Sequence, residues 1–465
     1  DRSVSRGLGD VYKRQSLGNA ADPIDADQKL QEDALMSYVA SVNYSYGDKY
    51  YASFSFRRDG SSRLSPDTRW GNFWSLSASW RLSQEKFMQS LKSVLSDLKL
   101  RASYGVNGNL PSSYYGYQST YTTGAFYNGK PSPWESTLGN EELTWEKNYA
   151  LNLGLDIGLF SRVNVSLDWY TRTTKDLLMS KQLNSISGFS SLLTNVGQMR
   201  NTGVELEVRS NNIKTKDFSW TTAFNLSHNK NKILKLADLP WFVDGRYVRK
   251  EGYPFNTIYL REYAGVDPET GSALYYDNQQ DENGNYTKNK VTDPGQASPI
   301  PLKDITPTIS GGFMNTFNYK FIDLSFNLSY SFGGYSYDNA SYILQDDGYS
   351  VISNKSTEQR RRWQKPGDIT DVPRFVYGNK KGGNYNSSRA IHSTDHIRLK
   401  SLILGLNAPK AWLQKLGIGN ARIYFSGTNL LTWAAYGQYD PEMSGVVGFY
   451  TPPLKTYAFG LELKF

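Results

Sequence analysis

The sequence predicts an all-β protein, a transmembrane antiparallel β-barrel. Apolar and polar residues alternate along most of the chain, the apolar faces carry no charge, and the connections between alternating segments differ in length on the two sides. The composition agrees, because the mean hydropathy is −0.57 although 14% of the 465 residues are aromatic. Alternate residues of a barrel strand face lipid and water, so such a wall has an unremarkable mean hydropathy.

The composition also excludes several classes of protein. Without cysteine the chain has no disulfide scaffold, thiolate zinc site, iron–sulfur cluster or cysteine nucleophile. No run of about 18 apolar residues is present, so no transmembrane helix is predicted. The aromatic content argues against disorder. The net charge of +8 is dispersed and no recognition motif accompanies it, so nucleic acid is not an expected partner.

The last segment of the chain shows the alternation most clearly. Tyr457, Phe459, Leu461, Leu463 and Phe465 are apolar, and the residues between them are small or charged. A period of two predicts a strand with one apolar and one polar face. The same pattern predicts 13 strands, which begin near Tyr38, Tyr50, Phe73, Leu98, Tyr149, Val163, Val204, Phe218, Ile309, Ile322, Ile397, Ala421 and Tyr457.

The apolar faces of these strands contain no Asp, Glu, Lys or Arg. A Lys or Arg on the lipid face costs about 2–4 kcal/mol at the bilayer midplane, so a charge-free face predicts contact with lipid. We expect one set of residues to face lipid and the other the lumen: Phe54, Trp80, Leu153, Leu206, Phe326 and Leu461 against Ser55, Ser79, Asp156, Glu205, Asn327 and Glu462. Near Ile397 the alternation changes phase, which predicts a β-bulge.

The connections between the predicted strands alternate between short and long. The short ones are Gly47 to Lys49, Ser83 to Ser96, Phe160 to Ser161, Asn211 to Lys216, Lys320 to Phe321 and Pro409 to Gly419. The long ones are Asp59 to Gly71, Asn107 to Lys147, Lys175 to Arg200, Lys230 to Pro307, Gly333 to His396 and Ala434 to Lys455. Membrane barrels have short periplasmic turns and long extracellular loops, so the carboxyl terminus is predicted to lie in the periplasm.

The odd strand number predicts an incomplete barrel. Bacterial single-chain barrels have an even number of strands, and open strand edges are not viable in lipid. We therefore expect residues 36–465 to be part of a larger barrel and residues 16–35 to be a loop segment. Residues 1–15 show no periodicity and resemble translated adapter sequence. We therefore expect them to be unstructured and to be an artefact of DNA sequencing or sequence assembly.

Several segments spread from residue 38 to the end resemble SusC-like TonB-dependent transporters, the RagA/SusC family. They include RRDGSSRLSPDTRWGNFWSLSASWRLSQEKFM, GNEELTWEKNYALNLGLDIGLF, NVGQMRNTGVELEV, DHIRLKSLILGLNAPKAWLQKLGI and ARIYFSGTNLLTWAAYGQYDPE. The resemblance implies a barrel of about 22 strands with a plug in its lumen. This chain would supply the 13 carboxyl-terminal strands, without the plug.

The resemblance also implies a function. An importer of this kind lies in the outer membrane of a Gram-negative bacterium and takes up oligosaccharides, peptides or similar large nutrients with a SusD-like surface lipoprotein and energy from TonB. A passive porin or structural barrel is the alternative. No G-x-S-x-G elbow, P-loop or HExxH motif occurs, so neither an enzyme nor a cofactor is predicted.

Two groups of residues are candidates for functional sites. Aromatic side chains provide platforms for sugar rings, and those of the long connections are Trp134, Trp241, Tyr253, Tyr259, Tyr335, Tyr337 and Trp363. The end of the chain resembles the signal that the barrel assembly machinery reads. That signal comprises Gly460, Leu463 and Phe465, although Ala458 replaces its usual polar residue.

Four further motifs have a structural and a functional interpretation. For Asp440-Pro441-Glu442 the favoured interpretation is a loop that the proline fixes and whose acidic side chains are solvated. The alternative is that these residues lock the loop in place or contact a partner. A solvated turn is favoured over a calcium site at Asp281 to Asn285, because Tyr286 and Thr292 break the EF-hand pattern. A charged loop face is favoured over an anion or partner site at Arg360 to Trp363. His392 and His396 are too far apart on a strand for a metal site.

Overall fold

The computed structural model describes residues 30–122, 126–236, 240–379, 386–409, 412–413 and 417–465. The predictions for residues 1–15 and for most of residues 16–35 lie outside this part of the chain. Within it, no helix is both long enough and apolar enough to cross a membrane.

Thirteen antiparallel strands form one sheet, the wall, in which strands that follow one another along the chain are paired. All 13 predicted strands are confirmed. In chain order they are β1 (Leu35–Tyr46), β2 (Tyr50–Ser61), β3 (Trp70–Arg81), β4 (Leu95–Asn109), β5 (Glu146–Leu159), β6 (Val163–Lys175), β7 (Gln198–Lys214), β8 (Phe218–Lys235), β9 (Ile309–Tyr319), β10 (Ile322–Phe332), β11 (His396–Asn407), β12 (Asn420–Ala434) and β13 (Thr456–Lys464).

The apolar face of the wall is not packed into a closed core. Phe54, Leu153 and Leu461 are 44%, 46% and 61% exposed, and Leu206 and Phe326 are half-buried beside neighbouring strands. Large apolar side chains in one exposed face are what a lipid-facing surface requires.

The polar face carries ion pairs that cross strands. Arg101 on β4, Gly154 on β5 and Asp168 on β6 lie directly opposite one another. The Arg101 guanidinium crosses Gly154 and contacts Asp156 at 2.8 Å and Asp168 at 2.9 Å. A Cβ atom on Gly154 would come within 2.6 Å of Arg101 Cζ, so a larger residue there would displace the guanidinium from this position.

The predicted irregularity near Ile397 is confirmed. Strand β11 shifts register between Leu399 and Ser401 in its pairing with β12, and β10 shifts at the same level between Asn327 and Leu328. Lys400 is the extra residue of β11 opposite β10. This β-bulge explains why the apolar side chains of β11 change from one face to the other at this point.

The strict alternation of connection lengths is wrong at one place. The connection at 82–94 lies at the end of the wall that carries the short connections. It is nevertheless longer than the connection at 62–69, which lies at the opposite end with the long connections. It contains two 3₁₀ turns, Leu82–Gln84 and Lys86–Leu91. The connection at 62–69 is short because β2 extends to Ser61 and β3 already begins at Trp70. These strand ends pair through backbone hydrogen bonds, which do not require alternating apolar residues in the sequence.

The remaining long connections fold into small sheets. Their paired strands are Thr120–Thr122 with Trp134–Thr137, Phe126–Tyr127 with Lys130–Pro131, Leu178–Gln182 with Ser191–Asn195, the four-stranded set Trp241–Asp244, Tyr247–Lys250, Thr257–Leu260 and Ile300–Asp304, the set Tyr263–Val266, Ala273–Tyr276 and Lys290–Val291, and the set Ile391–Ser393, Tyr335–Asp338 and Gly445–Val447. The helix α1 (Asn339–Leu344) and 3₁₀ turns at Ser185–Ser187, Pro294–Gln296, Thr357–Arg361 and Ser388–Ala390 accompany them.

Candidate functional site

Three long connections fold together into what we call the loop layer, made of the described residues of 236–308, 333–395 and 435–455. Strand Tyr335–Asp338 pairs antiparallel with Ile391–Ser393 and parallel with Gly445–Val447. The last of these belongs to a different connection, so the sheet ties two connections to each other.

An apolar core joins the first two connections of the loop layer. Ile258 and Leu260 from one of them pack with Tyr337 and Ala390 from the other, and all four are buried. Burial of such side chains contributes about 1.5–3 kcal/mol each. The two connections therefore form one folded unit.

Tyr263 adds polar contacts across the same boundary. Its backbone N–H donates to Ser388 Oγ at 2.9 Å, and its hydroxyl donates to the Asp371 carbonyl oxygen at 2.9 Å. Burial raises the pKa of Tyr263, so this hydroxyl stays protonated and remains a donor.

Buried charges inside connection 333–395 are paired. Arg389 Nη1 lies 2.5 Å from Asp347 Oδ2, and Gln359 donates to the other oxygen of Asp347 at 2.9 Å. Burial raises the pKa of Asp347, and the Arg389 guanidinium opposes that shift. Beside them Lys355 lies 2.6 Å from Asp346. Such pairs hold the connection in one conformation, because a lone buried charge is costly.

The Asp440-Pro441-Glu442 motif locks the third connection to the wall, so the preferred interpretation as solvated acids is wrong. Arg398 on β11 is buried and donates to Asp440 at 2.6 Å and to Glu442 at 3.2 Å. Lys400 donates to Glu442 at 2.6 Å. A buried guanidinium needs such partners, and the turn formed around the proline supplies both.

Three of the predicted ligand-binding residues lie on the four-stranded sheet or in the turn between two of its strands. The ring centroids of Trp241 and Tyr259 are 5.9 Å apart, and Trp241 remains 45% exposed. Lys250 lies opposite Trp241, and its ammonium group is 5.1 Å from the Tyr253 ring. This set presents an aromatic surface with a cation beside it.

Tyr337 is a packing residue in this structure and presents no face to a ligand. It is 1% exposed, its hydroxyl donates to Asn386 Oδ1 at 2.7 Å, and the Arg246 guanidinium lies 4.5 Å from its ring centroid. It is buried because it packs in the apolar core with Ile258, Leu260 and Ala390.

The other predicted aromatics do not join the Trp241 set. Trp363 packs on Gly271, where a Cβ atom would come within 2.4 Å of its ring, and its Nε1 donates to the Pro268 carbonyl oxygen. Tyr335 is half-buried, and the ammonium group of Lys303 lies 5.0 Å from the centroid of its ring. Trp134 is exposed in the separate connection between β4 and β5.

An aromatic stack between two connections could not be predicted from the sequence. The rings of His392 and Tyr436 are parallel, with their centroids 3.7 Å apart. The Tyr436 hydroxyl donates to Asp338 at 3.0 Å, and the Tyr439 ring lies 5.1 Å away. No local pattern marks these residues, since only the tertiary fold brings them together.

The solvated-turn interpretation of Asp281 is confirmed. Its carboxylate accepts from the backbone N–H groups of Asn285 and Asn283 at 2.8 and 2.9 Å, and these bonds lower its pKa. No cluster of three or more potential metal-ligating His, Cys, Asp and Glu side chains occurs in the described residues. In the basic run, Arg361 pairs with Glu358 at 2.5 Å.

The fold has a counterpart among known families. The family described as "TonB dependent receptor-like, beta-barrel" matches residues 4–287. The chain belongs to this family. The resemblance found in its sequence motifs is thereby confirmed.

The relatives include curated proteins and solved structures. TonB-dependent receptor P3 of Formosa agariphila is 32% identical over 486 residues, 97% of this chain and 47% of the relative. TonB-dependent receptor SusC of Bacteroides thetaiotaomicron is 30% identical over 94% of this chain and 45% of SusC. The structure of the RagAB peptide transporter matches with a TM-score of 0.87 and 30% identity, over 97% of this chain and 50% of that chain. This chain spans about half the length of these relatives.

Proposed function

We propose that the chain forms part of the wall and the mouth of a SusC-like active importer in the outer membrane of a Gram-negative bacterium. The wall supplies an apolar face for lipid and a polar face for the lumen. In this arrangement the short connections lie in the periplasm, and the loop layer covers the extracellular mouth.

One observation carries the proposal, namely that the loop layer is a folded unit with exposed aromatic rings. Long connections of a passive barrel need no shared core, whereas a binding surface must be held in one geometry. The Trp241–Tyr259 pair sits on a sheet that the buried core of Ile258 and Leu260 fixes to the next connection.

Oligosaccharides are the substrate class that the surface around Trp241 fits best. Sugar rings pack on aromatic faces, and their hydroxyl groups pair with nearby cations and amides. Peptides are the second candidate, favoured by the similarity to the RagAB peptide transporter over nearly the whole chain.

Two protein partners follow from the family. A SusD-like surface lipoprotein would cover the loop layer and enclose the substrate against it. TonB would supply the energy for import. A passive porin, the competing function, would require neither of them.

The test uses the intact receptor in cells, with fluorescently labelled oligosaccharides and peptides as probes. We expect Trp241→Ala to lower uptake about tenfold at an unchanged outer-membrane level, as the loss of one aromatic platform implies. Trp412→Ala is the matched control, because Trp412 is also exposed but lies in a short connection at the other end of the wall. Wild-type uptake by the Trp241 variant, or uptake that survives a protonophore, would contradict active import through this surface.

A further inference from the structure

The apolar face of the wall contains a groove near the short-connection end. Ala78 on β3 and Ala102 on β4 lie directly opposite each other and form its floor. Trp80 rises on one side, and Leu153 and Trp169 close the end towards β6. The groove has a volume of about 710 Å³ and is lined mainly by apolar side chains.

The long connection at 82–94 lies at the rim of this groove. The Glu85 carboxylate accepts from Tyr50 Oη at 2.6 Å and from Trp80 Nε1 at 3.2 Å. Lys49 lies 2.9 Å from the same carboxylate and neutralises it. The connection is thus fixed to the groove by two aromatic side chains that line it.

The residues after Glu85 combine exposed apolar and cationic side chains. Phe87 and Leu91 are 66% and 50% exposed, and Lys86 and Lys92 are exposed beside them. Neither lysine makes an ion pair with a described residue, so this connection carries uncompensated positive charge next to Glu85. Apolar side chains flanked by lysines are typical of segments that lie in the headgroup region of a membrane.

We propose that this groove binds an anionic glycerophospholipid, with an acyl chain on the alanine floor and the phosphate on Lys86 and Lys92. The proposal rests on the proposed function only in taking the apolar face to meet a membrane. Charge complementarity selects the occupant: the groove itself is apolar, and its cationic rim matches a phosphate that carries no compensating ammonium group.

The experiment uses the intact receptor, purified in detergent and stripped of lipid. Binding of phosphatidylglycerol and of phosphatidylcholine is measured by native mass spectrometry. We expect Lys86→Gln with Lys92→Gln to weaken phosphatidylglycerol binding about 30-fold, because each lysine near an anionic headgroup contributes about fivefold. Ala78→Leu with Ala102→Leu should weaken both lipids by filling the groove.

The matched control is Lys214→Gln with Lys216→Gln, two exposed lysines at another short connection. An equal loss in this control would show nonspecific attraction by surface charge and would overturn the proposal. The proposal would also be overturned if the wild type bound phosphatidylglycerol and phosphatidylcholine equally well and the Lys86/Lys92 variant bound both as well as the wild type does. If the alanine variant changes the oligomeric state and leaves lipid binding intact, the groove is an interface between copies instead. Nutrient uptake is a separate measurement, so the lipid result stands or fails independently of import.

Discussion

The ring of Tyr424 on β12 covers Gly460, the residue directly opposite it on β13. A Cβ atom on Gly460 would come within 2.3 Å of Tyr424 Cζ. The glycine therefore receives the tyrosine ring, and the last strand is held to the wall by this contact. The wall repeats the arrangement at Tyr170 over Gly203 and at Tyr330 over Gly311.

Gly460→Ala is predicted to destabilise the pairing of β12 with β13 by about 1–3 kcal/mol, the usual cost of forcing extra volume into a packed site. Tyr424→Ala loses the ring contact itself, and adding Gly460→Ala to that variant should cost little more, because the ring that the new methyl group meets is gone. The measurement is the temperature at which the folded barrel loses its altered gel mobility. Gly437→Ala serves as the control, since nothing lies within 4 Å of a Cβ atom there. A cost of Gly460→Ala that is as large in the Tyr424→Ala background as in the wild type would refute the steric account.

The wall was predictable because its cause is local. Every wall strand must present one face to lipid and one to the lumen, so the period of two appears in each strand separately. The bulge at Lys400 was visible for the same reason, as a change of phase between Leu399 and Leu402. The ends of β2 and β3 were not, since their last pairs are held by backbone hydrogen bonds that leave no apolar pattern.

The loop layer was not predictable because its contacts join distant parts of the chain. Tyr337 and Trp241 are both aromatic residues of long connections, yet one is buried and the other exposed. The difference arises from the apolar core that Tyr337 forms with Ile258 and Leu260 of another connection. The residue types Arg398 and Asp440 gave no sign that they pair.

Arg398→Met is predicted to release the connection 435–455. The side chain of Asp440 is only 9% exposed and would lose its cation, and removal of one partner from a buried pair costs about 3–5 kcal/mol. Limited proteolysis of the intact receptor should then cut within 435–455. Arg209→Met removes an exposed pair with Glu207, where the cost is about 0–1 kcal/mol, and should leave the cleavage pattern unchanged. Protection of 435–455 in the Arg398 variant would count against the lock.

The loop layer should loosen as the pH falls below about 6.5, the ordinary pKa of histidine. Burial lowers the pKa of His392, although Asp338 opposes the shift, and its buried Nε2 finds no hydrogen-bond partner among the described residues. Above about pH 6.5 both the folded and the open state hold neutral histidine, and the stability is complete. Below it the open state takes up the proton first, so stability is lost with falling pH.

Hydrogen exchange in residues 333–379 measures this effect. We expect faster exchange at about pH 5 than at about pH 7.5 after correction for the intrinsic rate, as the ordinary histidine pKa requires. His392→Phe keeps the stack on Tyr436 and should remove the pH dependence, while His228→Phe at an exposed wall position should retain it. A pH dependence that persists in the His392 variant would assign the effect to another group.

Phe465 should matter for assembly more than for transport. Tyr424 gives Gly460 a structural reason to be glycine, so the assembly signal is best tested at the terminal aromatic, which is 87% exposed and has no packing role of that kind. Phe465→Ala in the intact receptor is expected to lower the outer-membrane level several-fold, because a recognition surface is lost without loss of buried area. Lys464→Ala changes the adjacent residue but leaves the alternation of Leu461, Leu463 and Phe465 intact, and this variant should assemble normally.

Immunoblots of purified outer membranes measure the level of both variants, and uptake is then normalised to the amount of receptor present. Equal membrane levels for the two variants would mean that the terminal aromatic is not part of the signal, and an unchanged level with reduced uptake would place its role in transport instead.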